Sequence, residues 1–160
     1  MGETSVQTPA TVAIAAAGIP FRVVQIERPS SVEESAERQG IEVGQVVRTI
    51  VVRRGDDDYL FILVPGGLQI DWPKLRTHLG VSRMSLPDQD EARDATGYER
   101  GAITPFGATT AWPTIADASL LELGTVAIGG GAHGVNIHLD AADLITATGA
   151  VVTDVTRSKG

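Results

Sequence analysis

The sequence predicts an α/β fold, a single domain in which short helices surround a mixed, largely antiparallel sheet. Three observations support this prediction. The 160 residues are 42% hydrophobic and 21% charged, which is typical of a globular protein with one core. Short segments with helix-capping residues are scattered among apolar runs that predict strands. Consecutive apolar runs often lie too close together for helical crossovers, which favours antiparallel pairing.

The N-terminal elements follow from capping residues and apolar alternation. In "TPATVAIAAAG", Thr8 is a suitable N-cap, Pro9 suits the first helical position and Gly18 can end the helix in a left-handed conformation. The next run, "IPFRVVQI", alternates as a strand does. Ser31 and Glu34 then form a capping-box pattern that predicts a helix over "SVEESAERQG".

Two apolar runs in the middle of the chain predict neighbouring strands. The runs "VGQVVRTIVVRR" (43–54) and "YLFILVPGG" (59–67) are rich in Val, Ile and Leu, which is typical of strands buried on both faces. The acidic turn "GDDD" separates them, and a Pro-Gly turn ends the second.

Two short helices and a loop follow. The helix "DWPKLRTHLG" begins at the cap Asp71 and ends at Gly80. The segment "LPDQDEARDATG" repeats this design, with acidic residues in the first turn, where the helix dipole favours them. Because Gly and Pro punctuate "GYERGAITPFG" (97–107), we expect a loop there.

The C-terminal third contains two strand candidates joined by a glycine-rich segment. "TVAI" (125–128) and "VNIHL" (135–139) flank "GGGAHG", in which Gly129, Gly131 and Gly134 satisfy the dinucleotide-binding pattern G-x-G-x-x-G. That motif requires a helix to follow, whereas "VNIHL" alternates as a strand. We therefore expect a glycine-rich hairpin, or a wall against which a ligand lies. A helix from Asp140 to Gly149 and a strand "VVTDV" complete the chain.

Composition excludes several classes of function. Cysteine is absent, which removes disulfides, thiolate metal sites and a cysteine nucleophile. The net charge is −7, and between residues 101 and 156 there is no Lys or Arg, so a broad nucleic-acid-binding surface is not expected. A phosphate-bearing partner would have to dock on the first hundred residues. No apolar stretch approaches the ~20 residues of a membrane span, and no signal pattern opens the chain, so we expect a cytoplasmic protein.

The histidines and serines indicate neither a metal site nor a hydrolase triad. His133 and His138 lie five positions apart without a completing carboxylate pattern, so we expect no metal and no cofactor. No serine occupies a G-x-S-x-G elbow. His133 keeps some interest because it lies in the glycine-rich segment.

Arg48 is the most informative single residue. It lies at the centre of an apolar strand, where an isolated guanidinium is costly to bury. One interpretation is an ion pair with an acid such as Asp117. The other is a cation that binds an anion at the floor of a cleft. The residues alone leave both interpretations open.

A family resemblance bears on this choice. Ordered segments of the chain resemble the YbaK/prolyl-tRNA-synthetase-insertion superfamily, whose members hydrolyse wrongly charged aminoacyl-tRNA. The resemblance covers residues from about 10 to 155, and we treat 1–160 as one such domain. The segments are "GIPF" (18–21), "GQVVRTIVV" (44–52), "VPGG" (64–67), "KLRTHLGVSRMSL" (74–86), "TGYERGAITPFG" (96–107), "IADASLLELGTVAIGGG" (115–131) and "LDAADLITATGAVVTDV" (139–155).

The resemblance implies a twisted mixed sheet and a central cleft that receives the aminoacyl 3′ end of tRNA. A family Lys that meets the substrate end corresponds to Arg48 here, and the Gly101–Pro105 loop would frame the ester and position water. The terminal ribose hydroxyl is thought to help activate that water. The implied catalytic residues are Arg48, Gly101, Thr104 and Pro105. The implied substrate-binding residues are Phe21, Thr49, Ala102, Ile103, Asp117, Gly129, Gly130, Gly131 and His133.

From this resemblance we expect a hydrolase that removes a small amino acid such as Ala, Ser or Cys from mischarged tRNA. The alternative is a weakened or inactive module that binds aminoacyl-tRNA or a synthetase, because Arg48 replaces the family Lys and Arg stays protonated. The expected partners are aminoacyl-tRNA and a synthetase that delivers it, without a membrane or a metal.

Overall fold

A computed structural model describes residues 6–159, which form five helices and nine strands. The helices are α1 (Pro9–Ala16), α2 (Val32–Gln39), α3 (Trp72–Leu79), α4 (Gln89–Thr96) and α5 (Ala141–Thr148). The strands are β1 (Arg22–Gln25), β2 (Val47–Gly55), β3 (Asp58–Pro65), β4 (Leu68–Ile70), β5 (Thr114–Asp117), β6 (Thr125–Gly129), β7 (Val135–Asp140), β8 (Val151–Thr153) and β9 (Thr156–Ser158). Short 3₁₀ turns occupy Val43–Gln45 and Ala118–Glu122.

Helix boundaries follow the capping residues that the sequence predicts. Four N-cap side chains accept a backbone N–H from the first turn, and they belong to Thr8, Ser31, Asp71 and Asp88. Asp140 occupies the predicted N-cap position of α5 without such a hydrogen bond. In α2 the Glu34 carboxylate accepts from the Ser30 N–H at 2.8 Å, so the predicted reciprocal bond reaches one residue further back. Each helix spans eight residues, and none of those described is long and apolar enough to cross a membrane.

The strands form three small sheets, and the prediction of a mixed, largely antiparallel arrangement is confirmed. In the four-stranded sheet β2-β3-β5-β8, β2 and β3 pair antiparallel, while β3/β5 and β5/β8 pair parallel. The sheet β1-β7-β6 is antiparallel, as is the pair β4-β9. A single parallel bridge between Val46 and Ala127 brings the start of β2 against β6. The cleft forms where the two larger sheets meet.

The glycine-rich segment forms a hairpin, as the alternation of "VNIHL" predicts. β6 and β7 pair antiparallel, with Gly129 opposite Asn136. The Gly130 N–H donates to the Val135 carbonyl at 2.8 Å and closes the turn. A strand follows the glycines, so the segment lacks the helix N-terminus that the dinucleotide motif uses to hold a pyrophosphate.

The two central strands differ in burial, which corrects one expectation. β3 is buried on both faces, as its sequence predicts. β2 lies at the edge of its sheet, and Arg48, Thr49 and Ile50 are only half-buried. Apolar composition does not distinguish a central strand from an edge strand that a cavity shields from bulk water.

Candidate functional site

A cavity of about 420 Å³ opens along the free edge of β2. Its walls come from β2, the β6-β7 hairpin, the loop 101–103 and the segment after β1. This volume lies within the range of small-molecule sites in proteins. The lining residues are Ile26, Arg28, Pro29, Ser35, Val46, Val47, Arg48, Thr49, Ile50, Gly101, Ile103, Ala127, Ile128, Gly129, His133, Gly134, Val135 and Asn136.

Arg48 lines this cavity, and no carboxylate among the described residues pairs with it. Its Nη2 donates to the Leu68 carbonyl at 2.7 Å, and its Nε is buried without a hydrogen-bond acceptor. Within residues 6–159 it forms no ion pair. Burial lowers the pKa of Arg48, yet a guanidinium retains its proton at neutral pH. The site therefore holds a partly desolvated positive charge with an unused donor.

The ion pair with Asp117 does not form. The Asp117 carboxylate accepts from the Ser119 N–H at 3.1 Å and from the Val155 N–H at 3.0 Å. Burial raises the pKa of Asp117, but hydrogen bonds from the Ser119 hydroxyl, from these two N–H groups and from the Thr156 side chain outweigh that effect and hold the pKa below its usual value. Asp117 joins the end of β5 to the C-terminal segment and does not line the cavity.

Thr49 adds unused hydrogen-bonding groups beside Arg48. Arg53 exchanges backbone hydrogen bonds with Ser85 on the free edge of β2, at 2.8 and 3.0 Å. Backbone groups on an antiparallel edge strand alternate with period two, and the register is regular from Val47 to Arg53. The backbone N–H and C=O of Thr49 therefore face away from β3, on the side where Thr49 lines the cavity. Its buried Oγ1 also has no hydrogen-bond partner in the part of the chain that the structure describes.

The Gly101–Pro105 loop packs closely on the β6-β7 hairpin, and its residues Gly101 and Ile103 line the same cavity as Arg48. Gly101 has a φ of +91°, a conformation that favours glycine, and a Cβ there would lie 3.5 Å from His133 Cε1. The Gly131 N–H donates to the Ala102 carbonyl at 3.2 Å. A Cβ at Gly129 would lie 3.0 Å from the Ile103 carbonyl oxygen. The glycines thus allow two backbone segments to meet at the cavity wall.

A buried tyrosine holds the far end of this loop. The Tyr98 hydroxyl donates to the Phe106 carbonyl at 2.6 Å, and burial raises the pKa of Tyr98 to about 12. The Phe106 N–H points to Thr104 Oγ1 at 3.4 Å, and Thr104 is fully buried. The loop is therefore fixed from inside the core.

Six of the predicted site residues line the cavity together: Arg48, Thr49, Gly101, Ile103, Gly129 and His133. Five others belong to the loop or the hairpin without lining the cavity: Ala102, Thr104, Pro105, Gly130 and Gly131. Two lie apart from it. Phe21 lines a separate cavity beside α1, and Asp117 stands at the end of β5.

The structure also adds residues that sequence reasoning did not select. Ile26, Arg28 and Pro29 form one wall, and Asn136 lies on the hairpin beside the glycines. One sequence signal was available: the pair Arg28-Pro29 follows the first predicted strand, and its Arg lines the cavity as a second cation. The other lining residues are brought together by the way the two larger sheets meet. No short sequence pattern identifies them.

The fold and the site define an α/β domain with a cavity lined by Arg48, the Gly101–Ile103 segment and the β6-β7 hairpin. Comparison with known proteins specifies it further: residues 27–147 match the aminoacyl-tRNA editing domain family. The chain belongs to this family. The family resemblance and the fold class that the sequence predicts are thereby confirmed.

Relatives are similar over most of the chain. The "Putative Cys-tRNA(Pro)/Cys-tRNA(Cys) deacylase EbsC" of Enterococcus faecalis is 25% identical over 79% of this chain and 77% of that protein. The proline–tRNA ligase of Thermosipho melanesiensis is 26% identical over 69% of this chain, which spans only 20% of the ligase. A solved structure described as a "putative trans-editing enzyme for prolyl tRNA synthetase" has a TM-score of 0.82 and 26% identity, over 96% of this chain and 100% of that one.

Proposed function

We propose that this protein hydrolyses the ester bond of mischarged aminoacyl-tRNA and releases a small amino acid such as Ala, Ser or Cys. The observation that carries the proposal is the partly buried Arg48 guanidinium, which has no carboxylate partner among the described residues and lines the same cavity as Gly101 and Ile103. The family, the deacylase relative and the structure described as a trans-editing enzyme support the same substrate class.

The terminal adenosine and its amino acid would occupy the 420 Å³ cavity. Arg48 would hold the adenosine phosphate or the ester carbonyl, because a guanidinium donates to oxyanions in a fixed fork. The outward backbone groups of Thr49 would contact the aminoacyl group. Ile103 and Gly129 line the cavity and would limit the size of the amino-acid side chain that fits. A small side chain would be accepted and a larger one excluded.

The reaction requires one water molecule. Its oxygen attacks the ester carbonyl, the bond to the ribose oxygen breaks, and a proton passes to that oxygen, giving a free amino acid and a free 3′ hydroxyl. Arg48 would stabilise the negative charge that develops on the carbonyl oxygen, a contribution typically worth ~10²–10³ in rate. A neighbouring ribose hydroxyl would help to activate the water, so the chemistry needs no cysteine or serine nucleophile.

The test is deacylation of tRNA charged with Ala, Ser or Cys, with release of labelled amino acid followed over time. We expect faster ester loss than in buffer for at least one member of this panel, and Arg48→Ala should reduce the rate about 10²–10³-fold. Arg83→Ala is the matched control, since Arg83 is exposed and lies outside the cavity. No acceleration across the panel would refute the proposal.

A non-catalytic binding module is the second candidate, and one contact favours it. The hydrogen bond from Arg48 Nη2 to the Leu68 carbonyl draws part of the guanidinium away from the cavity, whereas a family Lys has no second arm to tether. Arg48→Lys distinguishes the two candidates. A gain of deacylation from an inactive background supports the module, and a modest change in an active protein supports the enzyme. A synthetase that delivers the tRNA would suit either candidate.

A further inference from the structure

A second, smaller cavity of about 220 Å³ adjoins the proposed active site. The two cavities share Arg48 and Ile50 as wall residues, so Arg48 lies between them. The remaining walls come from β4, the start of α3, the exposed Leu86 and Arg157 of β9. A ligand that fills the first cavity and extends past Arg48 would enter the second.

The chemistry of this second cavity suits a nucleotide. Trp72, half-buried at the first turn of α3, packs against the core on one side and lines the cavity. Leu86 is 59% exposed and adds apolar surface. Arg48 and Arg157 supply two guanidinium groups next to these apolar groups. An aromatic ring beside arginines is the arrangement that binds single-stranded nucleic acid, with the base stacked and the phosphate paired.

Arg157 is held in position on the edge of this cavity. It lies opposite Gln69 in the β4-β9 pair, and with the Gln69 side-chain oxygen turned toward it, that oxygen accepts from Nε and Nη2 at 3.2 and 2.9 Å. Beyond residue 100 the sequence contains only one Arg and one Lys, Arg157 and Lys159. Arg157 therefore places a positive charge at the second cavity, in a part of the sequence that is otherwise acidic.

We propose that this cavity binds the nucleotide that precedes the terminal adenosine of the tRNA, an inference that rests on the proposed function. The base of that cytidine stacks against Trp72 and Leu86. The phosphate that joins it to the adenosine lies between Arg48 and Arg157. Arg48 thus contacts the substrate from both cavities, and a charged tRNA end is distinguished from a free aminoacyl nucleoside by its second nucleotide.

The experiment measures binding and hydrolysis with matched substrates. An acceptor-stem hairpin ending in CCA, with alanine attached through a hydrolysis-resistant amide, gives Kd by fluorescence anisotropy. The same hairpin with an abasic nucleotide before the adenosine removes only the proposed stacking partner. The ester-linked hairpin gives kcat and KM. Trp72→Ala, Trp72→Phe and Arg157→Ala are compared with Arg83→Ala, whose exposed side chain lies outside both cavities.

Trp72→Ala should raise Kd and KM about 5- to 100-fold, the range expected for a lost base stack, with little change in kcat. The abasic hairpin should show the same loss with the unmodified protein and no further loss with Trp72→Ala. Trp72→Phe should retain most of the affinity, which separates stacking from damage to the core. Arg157→Ala should weaken binding and make it less sensitive to salt.

Equal affinity for the abasic and intact hairpins would overturn the inference, even if the ester is hydrolysed. Binding that depends on Trp72 without ester hydrolysis would overturn the proposed function and leave the subsite standing. A failure to bind either hairpin, together with no hydrolysis of the ester-linked hairpin, would overturn both.

Discussion

At the scale of single residues, the position of Arg48 explains why an apolar strand carries a guanidinium. The strand lies at a sheet edge, the cavity admits the charge, and the Leu68 carbonyl accepts one of its protons. Burying a guanidinium without any acceptor costs a large desolvation free energy. A guanidinium that lines a cavity keeps part of its hydration, so this cost is smaller.

Gly129→Ala tests how closely the hairpin and the loop must approach. The new Cβ would lie 3.0 Å from the Ile103 carbonyl oxygen, so the loop must shift by a few tenths of an ångström. We expect a lower kcat for deacylation, because displaced catalytic groups lose much of their effect. The measurement is single-turnover deacylation beside a thermal unfolding curve.

Gly44→Ala is the control for this substitution. A Cβ at Gly44 would meet only Leu123 Cδ2 at 4.0 Å, which is ordinary contact. Its deacylation rate should match that of the unmodified protein. Equal rates for Gly129→Ala and Gly44→Ala would show that the contact between hairpin and loop does not set the geometry of the site.

At the scale of elements, the loop between α4 and β5 is irregular yet well anchored. Gly131 of the hairpin donates to Ala102, and Tyr98 donates to Phe106. Trp112 Nε1 donates to the Ala95 carbonyl at 2.8 Å and ties the end of the loop to α4. These bonds replace the regular ladder of a strand or helix, so the loop can present backbone groups in a fixed arrangement.

Tyr98→Phe removes the hydroxyl that holds the Phe106 carbonyl. Because the buried carbonyl then loses its donor, the free energy of unfolding should fall by ~1–3 kcal/mol. The loop should also loosen and the deacylation rate should fall. Urea denaturation and deacylation kinetics measure the two effects.

Tyr59→Phe serves as the comparison. The Tyr59 hydroxyl donates to Glu91, a half-exposed carboxylate on α4, and this bond raises the pKa of Tyr59 to about 12. Neither residue lines the proposed site. This variant should alter stability without altering deacylation. If Tyr98→Phe leaves both stability and rate intact, the loop does not depend on this bond.

At the scale of the whole molecule, one buried histidine links stability to pH. His138 lies in the middle strand of the β1-β7-β6 sheet, with Nε2 2.8 Å from Gln39 Oε1 and Nδ1 3.5 Å from Arg22 Nη2. Burial, and secondarily the Arg22 charge, lower the pKa of His138. The folded protein therefore keeps this imidazole neutral at a pH where the unfolded chain protonates it.

The free energy of unfolding should consequently fall as the pH drops below ~6.5, the ordinary value for His. The unfolded state binds a proton that the folded state excludes, so the contribution of His138 is complete above that pH. It is lost as the pH falls toward the folded-state pKa, at no more than ~1.4 kcal/mol per pH unit. Urea denaturation between pH 7.5 and 5.5 measures the slope.

His138→Gln should flatten this slope, and His78→Gln is the control because His78 is exposed. An unchanged slope in His138→Gln would assign the acid sensitivity to other groups. Asp117, whose pKa is lowered in the folded state, affects the free energy of unfolding at lower pH than His138 does. Its stabilising contribution is complete above pH ~3.9, the ordinary value for Asp, and is lost as the pH falls through its folded-state pKa.

The predictable part of the fold consists of local features. Capping residues such as Ser31, Asp71 and Asp88 define helix starts, because a side-chain oxygen satisfies backbone donors within one turn. The period-two pattern of "VNIHL" predicts a strand against the apparent dinucleotide motif. Arg48 could be selected because a lone cation in an apolar run requires an explanation.

The sequence by itself determined the fold class, most helix boundaries, the family, and the presence of an anion-binding candidate at Arg48. Only the tertiary structure decided that Asp117 accepts hydrogen bonds from the C-terminal segment and does not pair with Arg48. It also decided that β2 is an edge strand and that Phe21 lines a different cavity. The physical reason is the sequence separation over which each interaction acts. Caps and alternation act over a few neighbouring residues, whereas a cavity wall is set by contacts between segments far apart in the chain, which no short pattern encodes.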